Sequence, residues 1–252
     1  MFASLSKAFS AFSGRPFNYI WASLLFLLFL AISLLASFAL FLIYFMVASA
    51  LNFTVDLASV PTLVVISIVA LIFLFLTDGF NGALALAYRK AVAREKISLV
   101  EFYTYAIRSA LKLFTITLLR DIVWLLCIAP IAILYLYALS DYELMDILAA
   151  VIILGITFII HALFTPALIS AGSGNSSIYN SLRQGFSVLR RKHINFLAAY
   201  LVFALIWVLN FVPIVNLFTI FFAYPVAYSA LCLMVESGGG SSRPAAVMKE
   251  ED

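Results

Sequence analysis

Residues 19–51 read YIWASLLFLLFLAISLLASFALFLIYFMVASAL, a stretch without a single charge. A helix needs about 20 apolar residues to cross a hydrocarbon core of about 30 Å, so this run spans a bilayer with turns to spare. It must tilt, or project beyond the bilayer by a few turns. The run far exceeds the roughly 7–15 apolar residues of a secretory signal, although Ala48-Ser49-Ala50 has the small residues of a cleavage site. The expectation is a retained helix.

The rest of the chain agrees. Of its 252 residues 65% are apolar and 11% charged, against about 45–50% and 25% in ordinary soluble domains. So few charges cannot cover a water-exposed surface of this size without large apolar patches, which excludes a soluble monomer. The 24 Phe, 12 Tyr and 3 Trp suit hydrocarbon contact and the headgroup belt.

Six segments are long and apolar enough to cross, at 19–50, 60–88, 111–139, 147–171, 194–212 and 214–236. The fold class is therefore all-α, a bundle of six transmembrane helices. It divides into an interfacial segment at 1–18, the membrane domain at 19–236 and a flexible tail at 237–252, where Gly238-Gly239-Gly240-Ser241-Ser242 precedes a charged end. Pro130 ends or kinks the third span, and the short turn through Asn210, Pro213 and Asn216 makes the last two spans antiparallel neighbours. Capping, kinking and interfacial anchoring account for those three residues together with Tyr224, Pro225 and Tyr228.

Orientation follows from the 15 basic residues. Lys7 and Arg15 precede the first span, Arg89 to Lys112 lie between the second and third, Arg183 to Lys192 between the fourth and fifth, and Arg243 and Lys249 follow the sixth. The opposite loops hold only Asp56, Asp141, Glu143 and Asp146, so the positive-inside rule places both termini in the cytoplasm of a cell membrane. The net charge of +3 thus reports topology and does not imply nucleic acid.

Three segments on the basic side are amphipathic. Before the third span, Ser98 and Glu101 have capping-box spacing and open a face of Phe102, Ala106, Ser109/Ala110 and Leu113. Before the fifth, Ile178, Leu182, Phe186 and Leu189 share a face, and near the N-terminus Phe2, Leu5, Phe9 and Phe12 do so until Gly14 and Pro16. Such segments are expected on the inner leaflet.

Sliding the chain by 83 residues lays Ser98-Leu99 on Ser181-Leu182, Arg108 on Arg191, Trp124 on Trp207 and Pro130-Ile131 on Pro213-Ile214. The offset also lays Glu101 on Gln184. It defines a two-fold internal repeat in parallel orientation, an arrangement common in transport folds, whose sites lie between the units.

Ionisable groups inside spans are expensive and mark sites by default. Asp78, Asn81, Arg120, Asp121 and His161 form the candidate intramembrane polar cluster, and the repeat makes Asp78 and His161 equivalent. Gly79, Ala83 and Ala87 beside Asp78 form a small-residue stripe for close helix packing. Two readings stay open: a polar site for a charged headgroup, a solute or a proton, or a structural Asp78–Arg120 ion pair.

No catalytic residue, cofactor or metal site is expected. Neither histidine has a partner at ligand spacing, and Cys127 and Cys232 in apolar runs read as core packing. Ala171-Gly172-Ser173-Gly174 lacks the glycine two before the serine and reads as a flexible loop. Signatures of aspartyl membrane proteases and glycine-rich phosphate loops are absent from the sequence. The expected partners are the lipid bilayer and a membrane or cytoplasmic protein. The favoured functions are a non-enzymatic lipid- or solute-binding protein or accessory subunit, or alternatively a small secondary transporter using Asp78 and His161.

The paired spans with basic amphipathic segments at 98–112 and 176–192, the Pro130-Ile131 and Val212-Pro213-Ile214 turns, and Tyr224-Pro225 before Tyr228 resemble a loose group of uncharacterised six-helix membrane proteins of archaea and bacteria. That group includes the membrane domain attached to some glycerophosphodiester phosphodiesterases. The resemblance covers most of residues 10–236 and implies a cytoplasmic membrane. It carries over nothing catalytic, because the phosphodiesterase chemistry of such fusions belongs to a separate soluble domain.

Overall fold

The structure, a computed structural model, describes residues 2–51, 59–139, 143–173, 177–209 and 212–238. Among these every regular element is a helix: α1 (Phe2–Gly14), α2 (Pro16–Ala50), α3 (Val60–Val92), α4 (Leu99–Leu134), α5 (Glu143–Ser173), α6 (Ile178–Leu209), α7 (Pro213–Phe218) and α8 (Tyr224–Gly238). A π-helical turn at Tyr135–Leu139 extends α4, and another at Thr219–Ala223 joins α7 to α8 into one span. Six segments are long and apolar enough to cross a membrane. Lipid leaves a backbone no partner but itself, so apolar runs of this length settle into helices. Their hydroxyls follow the same rule: Ser33, Thr77 and Thr115 each donate to the carbonyl four residues back, at 2.9, 2.8 and 2.8 Å. The expected acids Asp56 and Asp141, the loop residues Gly174 to Ser176, Asn210 and the tail beyond Gly238 lie outside the described residues.

The amphipathic face before the third span is correctly placed, but its partner is protein. Phe102, Ala106, Ser109, Ala110 and Leu113 are all buried, and the segment is the opening of a continuous α4 packed against α3. The reason is α3's small residues. A Cβ on Gly79 would lie 2.5 Å from the Ala106 carbonyl oxygen, and one on Gly82 would strike Leu113 and come 2.7 Å from Ser109 Oγ. Ser98 caps α4 by accepting from the Glu101 N–H at 3.1 Å. The Glu101 carboxylate reaches across the turn to Lys90.

In α6 the buried face is rotated by one residue from the expectation. Ser181, Gly185 and Val188 are buried together with the expected Leu189, Ile178 and Leu182 are partly buried, and Phe186 is exposed. Glycine contributes little to an apolar pattern, yet Gly185 fits where a Cβ would lie 2.6 Å from the Ala167 nitrogen. Ser177 caps α6, accepting from the Asn180 N–H at 3.3 Å. Lys192 breaks the helical path at φ −136°, ψ 28°.

Other expectations are corrected. Of the two outcomes expected at Pro130, an end to the span is excluded, because helix continues to Leu134 and the π turn beyond it. Residues 171–173 form the last turn of α5 rather than a loop. Gly172 lies buried there, and a Cβ on it would be 3.1 Å from Gly82 Cα. Helix α8 runs two residues into the expected tail. Cys232 is buried but Cys127 is exposed on α4 beside Leu125 and Leu126, where lipid makes a core unnecessary for a thiol. Tyr224 and Tyr228 pack inside the bundle instead of anchoring it. Their rings meet Phe203 at 5.1 and 5.8 Å, and Tyr228 meets Tyr88 at 5.8 Å, whose hydroxyl bonds Ser23 Oγ at 2.8 Å.

Burial is uneven along the helices. In α2, Tyr19, Ala22, Ser23, Leu25, Phe29 and Ser33 are buried and then only Ala48. In α3 nothing between Thr62 and Gly79 is buried. The core therefore gathers at the end of the bundle that holds α1 and the α3–α4 turn. At the far end α2 and α3 touch through Tyr44 and Thr62 hydroxyls 2.9 Å apart.

Candidate functional site

Four of the five expected polar residues come together where α3, α4, α5 and α6 approach one another. Asp78 rides on α3 immediately before Gly79, so the close crossing with α4 carries it toward that helix. Its Oδ2 is buried and makes no hydrogen bond. The buried Thr117 hydroxyl on α4 stands next to the carboxyl, a donor within reach of it although the pair does not meet hydrogen-bond geometry.

Arg120 and Asp121 follow one turn along α4. Arg120 Nε donates to Asp121 Oδ1 at 2.8 Å, and Nη2 lies 2.8 Å from the same oxygen. The Asp78–Arg120 ion pair is therefore not formed: the arginine has taken its chain neighbour, leaving Asp78 within its field but outside its hydrogen bonds. Arg120 is the more buried partner, its side chain 18% exposed against 46% for Asp121. Asp121 is the chain neighbour of Arg120, so this pair forms with no helix having to move, which favours Asp121 over Asp78.

His161 on α5 is half-buried and within electrostatic reach of both Arg120 and Asp121. Its carbonyl accepts from Thr165 Oγ1 at 2.7 Å. Asn81 is half-buried, and no hydrogen bond joins it to the cluster. Nearby, Trp124 Nε1 donates to Thr157 Oγ1 at 2.9 Å and ties α4 to α5.

Tyr200 on α6 is a member that sequence reasoning missed. Its hydroxyl lies beside Thr165 and its side chain within reach of Arg120, while its ring packs on Phe158 at 5.3 Å. A signal for it was present, because the 83-residue offset carries Thr117 onto Tyr200 as it carries Asp78 onto His161. Each hairpin thus supplies one ionisable group from its first helix and one hydroxyl from its second.

The site is a patch of mixed polarity within the spans: an unpaired carboxyl, an internal ion pair, an imidazole and two hydroxyls. Such a set can accept from and donate to a polar group that leaves water. Among the described residues no three His, Cys, Asp or Glu side chains converge as a metal site would require. No protein-family model, curated protein or solved structure matches the chain.

Proposed function

We propose that this multi-pass protein lies in a cell membrane with both termini in the cytoplasm. In this reading it binds the polar group of a lipid or small solute at the Asp78–Thr117–Arg120–Asp121–His161 cluster, without catalytic chemistry of its own. One observation carries the reading: Asp78 is buried in a spanning helix without an ion pair, faced by the Thr117 hydroxyl alone on α4, although an arginine is close at hand. A buried polar atom left unpaired costs on the order of 1–3 kcal/mol, and more if charged. A fold would shed that cost by pairing Asp78 with Arg120. Keeping the two apart makes sense where a ligand or a proton completes the carboxyl.

A second reading, a small secondary transporter, is supported by His161 standing in the same cluster. Two protonatable groups on equivalent helices of parallel repeats are a natural coupling pair.

The test is to solubilise the full chain mildly from its native membrane and identify by mass spectrometry the lipids, solutes and proteins that stay with it. Wild type is expected to retain one polar lipid class or solute, and Asp78→Asn to lose it while melting no earlier. Equal retention by both proteins would sink the binding reading. A stoichiometric protein companion would make the chain an accessory subunit. Proton-driven solute uptake in vesicles, abolished by Asp78→Asn, would favour the transporter.

A further inference from the structure

Helix α1 has three faces. Ala8 and Phe12 are buried, the Phe12 ring 5.3 Å from Tyr19 and 5.8 Å from Phe222. Phe2 and Phe9 are 80% and 61% exposed. The third face, opposite the buried one, carries Ser6, Lys7 and Ser10 and forms one wall of an open groove of about 640 Å³, closed by Arg15, Val92 and Arg94. That volume lies in the range of small-molecule and headgroup sites.

Two independent features indicate what the groove accepts. The first is charge. Lys7, Arg15 and Arg94 line it with no acid among the lining residues. Neighbouring basic groups have partners elsewhere, Arg89 with Glu236, Lys90 with Glu101, and Lys96 over the Trp21 ring at 4.8 Å. Glu95, next in the chain, is exposed and outside the lining.

The second is backbone strain. Arg94 ends α3 at φ 67°, the left-handed position where glycine is the relaxed residue. The geometry is held by Arg94 N to the Ala91 carbonyl at 3.0 Å, Glu95 N to the Lys90 carbonyl at 2.8 Å, and Arg15 Nη1 donating to the Arg94 carbonyl at 3.0 Å. A non-glycine residue there costs roughly 1–2 kcal/mol. The strained turn thus places the Arg94 side chain on the cationic groove at a backbone cost that glycine would not carry.

We propose that this groove binds a phosphate ester, carried by an anionic phospholipid or by a soluble phosphate compound. Lys7, Arg15 and Arg94 supply the charge and Ser6 and Ser10, about one turn apart, supply hydroxyl donors. In the lipid case the acyl chains leave along Phe2 and Phe9. The site is separate from the Asp78 cluster, and its outcome does not depend on the function proposed there.

The test measures binding of dioctanoyl phosphatidic acid to the full chain in neutral detergent. Arg94→Gly with Lys7→Gln is the diagnostic variant, because glycine relieves the strain at residue 94 and protects the fold while the charge is lost. Binding is expected to weaken about tenfold or more. Ser10→Leu, which fills the groove without changing charge, should weaken it similarly, whereas the exposed pair Arg183→Gln/Arg190→Gln should change it less than about twofold. Equal losses in the groove and control variants, no loss in the groove variants, or equal affinity for dioctanoyl phosphatidylcholine would each overturn the proposal. Displacement of the lipid by inorganic phosphate extends the site to soluble phosphates, and failure to displace it assigns the groove to the lipid; both uphold the phosphate contact.

Discussion

The α3–α4 and α5–α6 hairpins, which the 83-residue offset lays on each other, are packed in two ways. The first seats α4 in a notch at Gly79 and Gly82, and α4 runs unbroken past it. At the positions equivalent to Gly82 and Ser109 the second has Thr165 and Lys192, too bulky for that contact, and Lys192 is where α6 breaks. The second hairpin closes elsewhere, at Gly185 on Ala167. Even so, the offset lays Asp78 on His161 and Thr117 on Tyr200, so polar groups coincide where the packing differs. The comparison teaches that the crossing points decide helix path, while the polar groups need only the shared periodicity.

The glycine contacts give the largest expected effects. At Gly185 the obstacle to a Cβ is the Ala167 backbone, which cannot yield, whereas at Gly82 it is the end of Leu113 and the Ser109 hydroxyl, which can rotate. Gly185→Ala should cost about 2–3 kcal/mol and Gly82→Ala about 1. Gly155→Ala, with nothing within 4 Å, should be neutral or slightly stabilising. Thermal unfolding in detergent measures all three, and a Gly82 variant weaker than the Gly185 variant would break the comparison.

The carboxylates come next. Asp121→Asn strips Arg120 of its counter-charge and should cost about 1–2 kcal/mol, moderated because Asp121 is nearly half exposed. Asp78→Asn should leave the melting temperature unchanged or raise it, since the amide keeps an oxygen for the Thr117 hydroxyl and removes a buried carboxyl that has no ion pair. A large destabilisation by Asp78→Asn would restore the structural ion pair and remove the argument for a binding site.

The caps are the smallest. Ser98→Ala should cost about 1 kcal/mol and Ser177→Ala roughly half that, following hydrogen bonds of 3.1 and 3.3 Å. Amide exchange in the first turns of α4 and α6 reads the difference, and equal protection loss would show the two caps to be equivalent.

Much of this was legible beforehand for a physical reason. In lipid the backbone must bond to itself, so apolar length translates directly into helices, and the six spans match the structure closely. The face of Phe102, Ala106, Ser109 and Leu113 was legible because helical periodicity shows in residues of contrasting polarity. The face around Gly185 was not, because close approach is set by an absent side chain that no polarity pattern records. Of the site, Asp78, Arg120, Asp121 and His161 stood out as charges in apolar runs, while Tyr200 looked like one more aromatic.

The sequence by itself determined the medium, the helical class, the number of spans and which ionisable groups enter the membrane, because these depend on composition and local period alone. Only the tertiary structure decided that Arg120 takes Asp121 and leaves Asp78 unpaired, that the amphipathic opening of α4 packs on α3, and that α1 turns a cationic face onto the end of α3. Each of those is a choice among partners distant in the chain, settled by which surfaces come within a few ångströms once the glycine contacts have set how the helices cross.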